Sequence, residues 1–172
     1  MIVRRETSDD VAAARAVQAA AFARPGSTDE PPEADLLDAL RTCPAWLDRF
    51  SLVAEIDGEV VGHVVCTRAT VGDAPVLALG PIGVLPRVQR DGVGSALMYA
   101  VIGSAEACDE VLIGLLGSTV YYSRFGFVHA TSLGIDAPDP SWGDHFQVRA
   151  LTSLDRLPRG RFAYPAPFDD LD

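Results

Sequence analysis

The chain has 172 residues, 24 acidic against 14 basic for a net charge of −10, and 48% of it is hydrophobic. That length supports one sizeable core, so a single domain over residues 1–172 is expected. No apolar run approaches the roughly 20 residues of a membrane span, and the acidic balance would repel a phosphate backbone, so neither membrane nor nucleic acid is an expected partner. Cys43, Cys66 and Cys108 are odd in number and widely spaced, which suits free thiols in a reducing compartment. The first residues lead into Asp9 and Asp10 rather than into the apolar segment of a secretory signal, and a cytoplasmic location is expected. All fourteen basic residues are arginine, so a phosphate loop ending in Lys-Ser or Lys-Thr is excluded.

In chain order, residues 2–5 read as a short strand. Thr7 or Ser8 followed by two aspartates starts an Ala-rich helix over about 9–22. Arg24-Pro25-Gly26-Ser27 ends it, and Pro31-Pro32-Glu33 opens a second helix with Leu36, Leu37 and Leu40 on one face. Residues 51–56 and 59–66 flank Asp57-Gly58, the strongest hairpin signal in the chain. A turn near 72–75 leads to a buried strand over 76–84, in which Pro81 predicts a bulge or a loss of pairing. A helix over about 94–107 and an apolar run at 111–116 follow, a strand-helix-strand unit that favours a parallel pair. A short helix at 119–125 stops at Gly126, strands are expected near 127–129 and 146–148, and the Pro- and Asp-rich segment 153–172 reads as a surface tail. The expected fold is α/β, a mixed, mostly antiparallel sheet of six or seven strands with helices on both faces.

The informative segment is Gln89-Arg90-Asp91-Gly92-Val93-Gly94-Ser95-Ala96-Leu97, at the entry to the third long helix. Glycines admit close approach of a ligand, and main-chain N–H groups in a first helical turn have no intrahelical acceptor, so the segment suits a diphosphate. Leu97 stands where the dinucleotide fingerprint needs a third Gly or Ala, and a hairpin rather than a parallel unit precedes it, which disfavours that reading.

Gln89-x-x-Gly92-x-Gly94 after an apolar strand, with Tyr122-Ser123-Arg124-Phe125-Gly126-Phe127 downstream, resembles the paired motifs of the GNAT N-acetyltransferases. Segments 79–86, 33–41 and 160–168 are similar to the YhbS-like branch of that family. The resemblance implies a GNAT fold whose fourth and fifth strands splay apart to admit the pantetheine arm of acetyl-CoA, the acetyl donor. It places Ile82, Gly83 and Val84 along that arm, and Gln89, Arg90, Asp91, Gly92, Val93, Gly94 and Ser95 at the pyrophosphate. Arg87 and Arg90 flank the loop and suit CoA phosphates.

The implied reaction is direct attack of a neutral amine, from a small molecule or a peptide, on the acetyl thioester, with Tyr122 matching the family tyrosine that protonates the departing thiolate. Residues 77–84 contain no Asp, Glu or His, so the fourth strand offers no side-chain base. Glu33, Glu55 and His63 are the candidates, with Glu33 preferred because its helix borders the acceptor side in this family. Tyr121, Phe125 and Phe127 read as core. His63, His129 and His145 are too scattered for zinc, and no metal is expected. The alternative is a CoA-binding sensor or partner module without turnover. The loops at 24–32 and 131–144 would surround an acceptor but carry no recognisable signature, and the sequence admits a homodimer without specifying one.

Overall fold

A computed structural model describes residues 1–152 and 154–170. Strand β1 (Ile2–Arg5) is followed by α1 (Val11–Phe22) and α2 (Pro32–Thr42). Then come β2 (Ser51–Ile56), β3 (Glu59–Val71), β4 (Ala74–Val84), α3 (Val93–Ala107), β5 (Leu112–Leu116) and α4 (Thr119–Tyr122). Short strands β6 (Val128–His129), β7 (Ile135–Asp136), β8 (Phe146–Ala150) and β9 (Gly160–Ala163) complete the set.

The start of α1 is pinned by Asp10, whose carboxylate accepts from the Thr7 main-chain N–H at 2.9 Å and from the Thr7 hydroxyl at 2.7 Å, and is held by the Arg4 guanidinium. Helix α2 opens on Pro32, whose fixed φ suits a first helical position. The β2–β3 turn needs left-handed backbone at both central residues, and Asp57 (φ 51°) and Gly58 (φ 83°) supply it.

The sheet runs β1-β2-β3-β4-β5-β8-β6, antiparallel along this path except for the β4–β5 pair, with β7 and β9 attached to it and parallel to each other. Helix α3 packs on one face, joining Val93, Leu97, Met98 and Val101 to Leu52, Ala54, Val64, Leu77 and Leu79. Side chains of opposite parity face the other way: Val53 and Val65 meet Leu36, Leu37 and Leu40 of α2, while Val76 and Ala78 meet Phe146, Val148 and Phe162. The α1/α2 layer and the Phe162 cluster therefore lie on the same side of the sheet.

Two expectations are corrected. The sheet has nine strands among the described residues rather than six or seven, because the very short β7 and β9 carry almost no alternation to read. The segment expected as a surface tail is built into the fold: β9 pairs with the end of β3 and with β7, and Phe162 is buried among Ala69, Val71 and Leu112. Ser153, Leu171 and Asp172 of that segment lie outside the described residues. At Pro81 the strand continues, and the irregularity is a bulge. The register shifts between Val64 and Cys66, so Gly80 and Pro81 together oppose Val65.

Candidate active site

The parallel β4–β5 pairing covers only Leu77 with Ile113 and Ala78 with Gly114. Beyond it β4 continues to Val84 and β5 to Leu116 without pairing to each other, so the sheet opens in its middle. A cavity of about 720 Å³ fills the opening and reaches both faces, a size that suits a substantial organic ligand.

On the α3 side the walls are Gln89 and Arg90 of the loop and Gly92, Gly94 and Ser95 at the helix start. Gly92 is the residue before α3 and has φ 88°, a left-handed conformation that brings the first turn of the helix round to face the opening. The N–H groups of Val93, Gly94 and Ser95 precede the first helical hydrogen bond, which runs from Ala96 N–H to Gly92 C=O. Gln89 ties the loop to the sheet by donating from Nε2 to the Val84 carbonyl at 3.0 Å. Any side chain at Gly94 would put its Cβ 2.9 Å from the Tyr121 hydroxyl.

Of the residues singled out in the sequence, Ile82, Val84, Gln89, Arg90, Gly92, Gly94, Ser95, Glu33 and Tyr122 line the cavity. Three do not. The Val93 side chain is buried under the sheet in the α3 core, leaving only its main chain at the helix start. Asp91 is exposed outside the cavity lining. Gly83 faces α1, where a Cβ would lie 2.6 Å from Gln18 Oε1, because strand alternation turns it away from Ile82 and Val84. Arg90 borders the opening, whereas Arg87 lies outside it and pairs with Glu59.

Tyr122 sits at the end of α4, its ring against Gly117, where it leaves no room for a Cβ. Burial raises its hydroxyl pKa, with smaller contributions from Tyr121 and Cys66, so the group is held protonated and able to donate. Tyr121, expected as core, is half-buried and lines the cavity; Phe125 and Phe127 are core as expected.

The other base candidates are engaged elsewhere. Glu55 pairs with Arg4 at 2.8 Å. His63 is fully buried between Ser51 Oγ at 3.0 Å and Gln18 Nε2 at 2.8 Å, with Glu6 3.4 Å away, and burial lowers its pKa. Gln18 Nε2 also donates to the Pro81 carbonyl at 3.2 Å, so this buried array braces β4 at its bulge. Burial opposes ionisation of Glu6, but hydrogen bonds from His63, Arg41 and Ser51 outweigh it and bring its pKa to about 2. Cys66 is buried and its thiol is pushed far up by desolvation, consistent with an inert side chain.

On the α1/α2 side the cavity is bounded by Phe22, Glu33, Leu36, Trp142, Tyr164 and Phe168. Sequence reasoning assigned a role only to Glu33. The others come from four separate segments, and no local pattern marks them. Their traces were slight: Leu36 read as part of the apolar face of the second helix, Trp142 fell in the 131–144 loop, and Tyr164 and Phe168 fell in the 160–168 segment.

A mixed sheet parted between two parallel strands, with a glycine-led helix start at the mouth, defines an acyl-CoA-type transferase architecture rather than a dinucleotide-binding one. The acetyltransferase (GNAT) family model matches residues 16–127, and the chain belongs to that family. It is 34% identical over 131 residues to the uncharacterized N-acetyltransferase YjhQ of Escherichia coli (strain K12), covering 73% of this chain and 72% of that protein. Among solved structures it is similar to a GNAT family acetyltransferase from Brucella melitensis in complex with acetyl-CoA, at 34% identity, TM-score 0.79, and 98% and 97% coverage of the two chains. It is also similar to the GNAT family N-acetyltransferase YhbS from Escherichia coli in complex with CoA, at 25% identity, TM-score 0.86, and 99% and 93% coverage.

Proposed function

We propose that this protein is an N-acetyltransferase that takes its acetyl group from acetyl-CoA and passes it directly to an amine. The observation that carries the reading is the opening between β4 and β5 with the unpartnered N–H groups of the α3 start at its mouth, which together fit a thioester on a long arm ending in a diphosphate. The similarity to a structure holding acetyl-CoA and to another holding CoA supports it.

In that reading acetyl-CoA supplies an activated acyl carbon. The first turn of α3 and Arg90 hold its phosphates, and Ile82 and Val84 border the arm. A main-chain N–H on the unpaired edge of β4 stabilises negative charge on the thioester oxygen. Glu33 takes the proton that the amine loses, directly or through water, as the C–N bond forms and the C–S bond breaks. The Tyr122 hydroxyl protonates the leaving sulfur and regains its proton from solvent. The products are an amide and free CoA thiol, with no covalent enzyme intermediate. Glu33 lines the cavity, and in this reading its carboxylate serves as the base that β4 lacks. The three free cysteines fit a cytoplasmic setting.

A hundredfold excess of acetyl-CoA over Kd is expected to raise Tm by roughly 5–10 °C. Gly92→Glu, which sets a carboxylate against the phosphates on a strained left-handed residue, is expected to remove that shift. Tyr122→Phe is expected to keep the shift and lower kcat on the order of a hundredfold in a thiol-release assay. Absence of any shift in the unmodified protein would overturn the reading.

A further inference from the structure

The α1/α2 end of the cavity has a chemistry that restricts the acceptor. Its wall is aromatic and continuous: Trp142 and Tyr164 have ring centroids 6.1 Å apart, and Tyr164 and Phe168 4.6 Å apart. Phe168 packs in turn on the α2 cluster that contains Leu36, and Phe22 closes the α1 side. The wall stands beside the reacting end: Tyr122 and Tyr164 line the same cavity, and the Tyr122 hydroxyl adds to the burial that disfavours ionisation of Tyr164.

Charge at this end comes from one residue. Glu33 and Arg90 are the only charged residues lining the cavity among those described, and Arg90 belongs to the loop at the opposite mouth. The neighbouring acids Glu30, Asp35 and Asp38 are gathered outside the cavity by Arg15, whose guanidinium reaches Asp35 at 3.0 Å and Asp38 at 2.7 Å. Glu33 has no ion-pair partner among the described residues. It lies one helical turn before Leu36 on the cavity-facing side of α2, so an unpaired carboxylate meets an aromatic surface.

We infer that the acceptor is a monoamine carried on an apolar, preferably aryl, body. Its ammonium pairs with Glu33 on binding and releases one proton to solvent before the neutral amine attacks, and its body is stacked on Trp142, Tyr164 and Phe168. A polyamine would leave further cationic groups in an apolar end with no second carboxylate. An amino acid would bring its own carboxylate next to Glu33 with no cation lining that end to receive it. The inference rests on the acetyltransferase reading for the chemistry, but the pocket can be tested without it.

The test compares 2-phenylethylamine, spermidine and glycine as acceptors, and measures calorimetrically the binding of 2-phenylethylamine and its uncharged isostere 2-phenylethanol to protein saturated with CoA. Expected are a kcat/KM for 2-phenylethylamine at least tenfold above those of the other two and tighter binding of the amine than of the alcohol. Glu33→Gln should abolish the discrimination between amine and alcohol. Trp142→Ala, at a half-buried position, should raise the KM for the amine at least fivefold while the KM for acetyl-CoA stays within twofold. Turnover of spermidine or glycine at or above the arylalkylamine rate would overturn the inference and leave the transferase reading standing. Binding of the amine that Trp142→Ala weakens, with no thiol release from any acceptor, would uphold the pocket and overturn the transferase reading. Failure of 2-phenylethylamine to bind the CoA-saturated protein would overturn the pocket.

Discussion

The two ends of the cavity are made of different material. At the α3 mouth the first turn of the helix presents main-chain N–H groups, with Gly92 and Gly94 keeping side chains out of the space beside them. At the α1/α2 end, six side chains from α1, α2, the 131–144 loop and the segment after β9 converge on one space. A site made of backbone needs a particular local conformation, and that requirement writes itself into neighbouring positions. A site made of side chains needs only that distant segments be brought together, and leaves each free to look ordinary. Recognition of a constant donor suits the first construction, and selection among acceptors suits the second.

The largest expected effect would break the side-chain end alone. Phe162 is buried beneath it, 4.9 Å from Tyr164 and 5.2 Å from Phe146 by ring centroids, and its ring fills the space over Gly114, where a Cβ would come within 2.5 Å. Phe162→Ala is expected to cost about 3–5 kcal/mol, read as a fall in Tm of roughly 10 °C, and to loosen the Tyr164 wall. Acetyl-CoA affinity, measured well below the new Tm, should change less than twofold. A loss of donor affinity as large as the loss of acceptor affinity would show that the two ends are not separately built.

The same contrast explains what was legible in the sequence. The β2–β3 hairpin, the α3 entry and the chain's exit at Gly126 from the turn after α4 each rest on glycines or aspartates forced into left-handed backbone, and their positions in the chain reveal them. The parting of β4 from β5 was implied by the family resemblance, and on the residues themselves Pro81 marked a bulge or a loss of pairing without saying against which neighbour. Strands β7 and β9 were not legible, since two to four residues of pairing carry no period. Trp142 and Phe168 sit in Pro- and Asp-rich stretches that look like solvent-facing loop, and only the tertiary fold turns them inward. Gly83 lies outside the cavity lining for a simple reason. Belonging to the right strand does not settle which face a residue takes, and here the bulge at Gly80 and Pro81 fixes the phase.

Between the two ends, Glu6, His63 and Gln18 brace β4 from behind, and their titration offers an intermediate test. The Glu6 carboxylate has a pKa of about 2 in the folded protein against 4.5 for the free group, so it contributes stability fully present above pH 4.5 and lost as pH falls toward 2. That difference corresponds to about 3 kcal/mol. His63 acts in the same direction in a higher window: burial holds it neutral, so below pH 6.5 the unfolded chain takes up a proton that the folded chain resists. Urea unfolding is expected to show stability falling from pH 7 to 5 through His63 and more steeply below 4.5 through Glu6. In Glu6→Gln the lower limb should flatten. An upper limb unchanged in His63→Asn would exclude the histidine as its source.

The smallest expected effect asks how far the donor end is main chain alone. Arg90 is exposed, borders the opening, and holds φ 70°, a left-handed value that costs a non-glycine residue about 1 kcal/mol. Arg87, on the same loop, is turned away to Glu59 and has ordinary surface surroundings. Arg90→Gly therefore removes strain and charge together. Tm without ligand should rise slightly while acetyl-CoA binding weakens by about two- to fivefold, the range of a single exposed ion pair. Arg87→Ala should change neither. Arg90 would then hold a strained backbone for the sake of a phosphate, the one place at this end where a side chain does what the main chain cannot. If Arg90→Gly gains stability and binds acetyl-CoA undiminished, the guanidinium is idle and the α3 start suffices by itself.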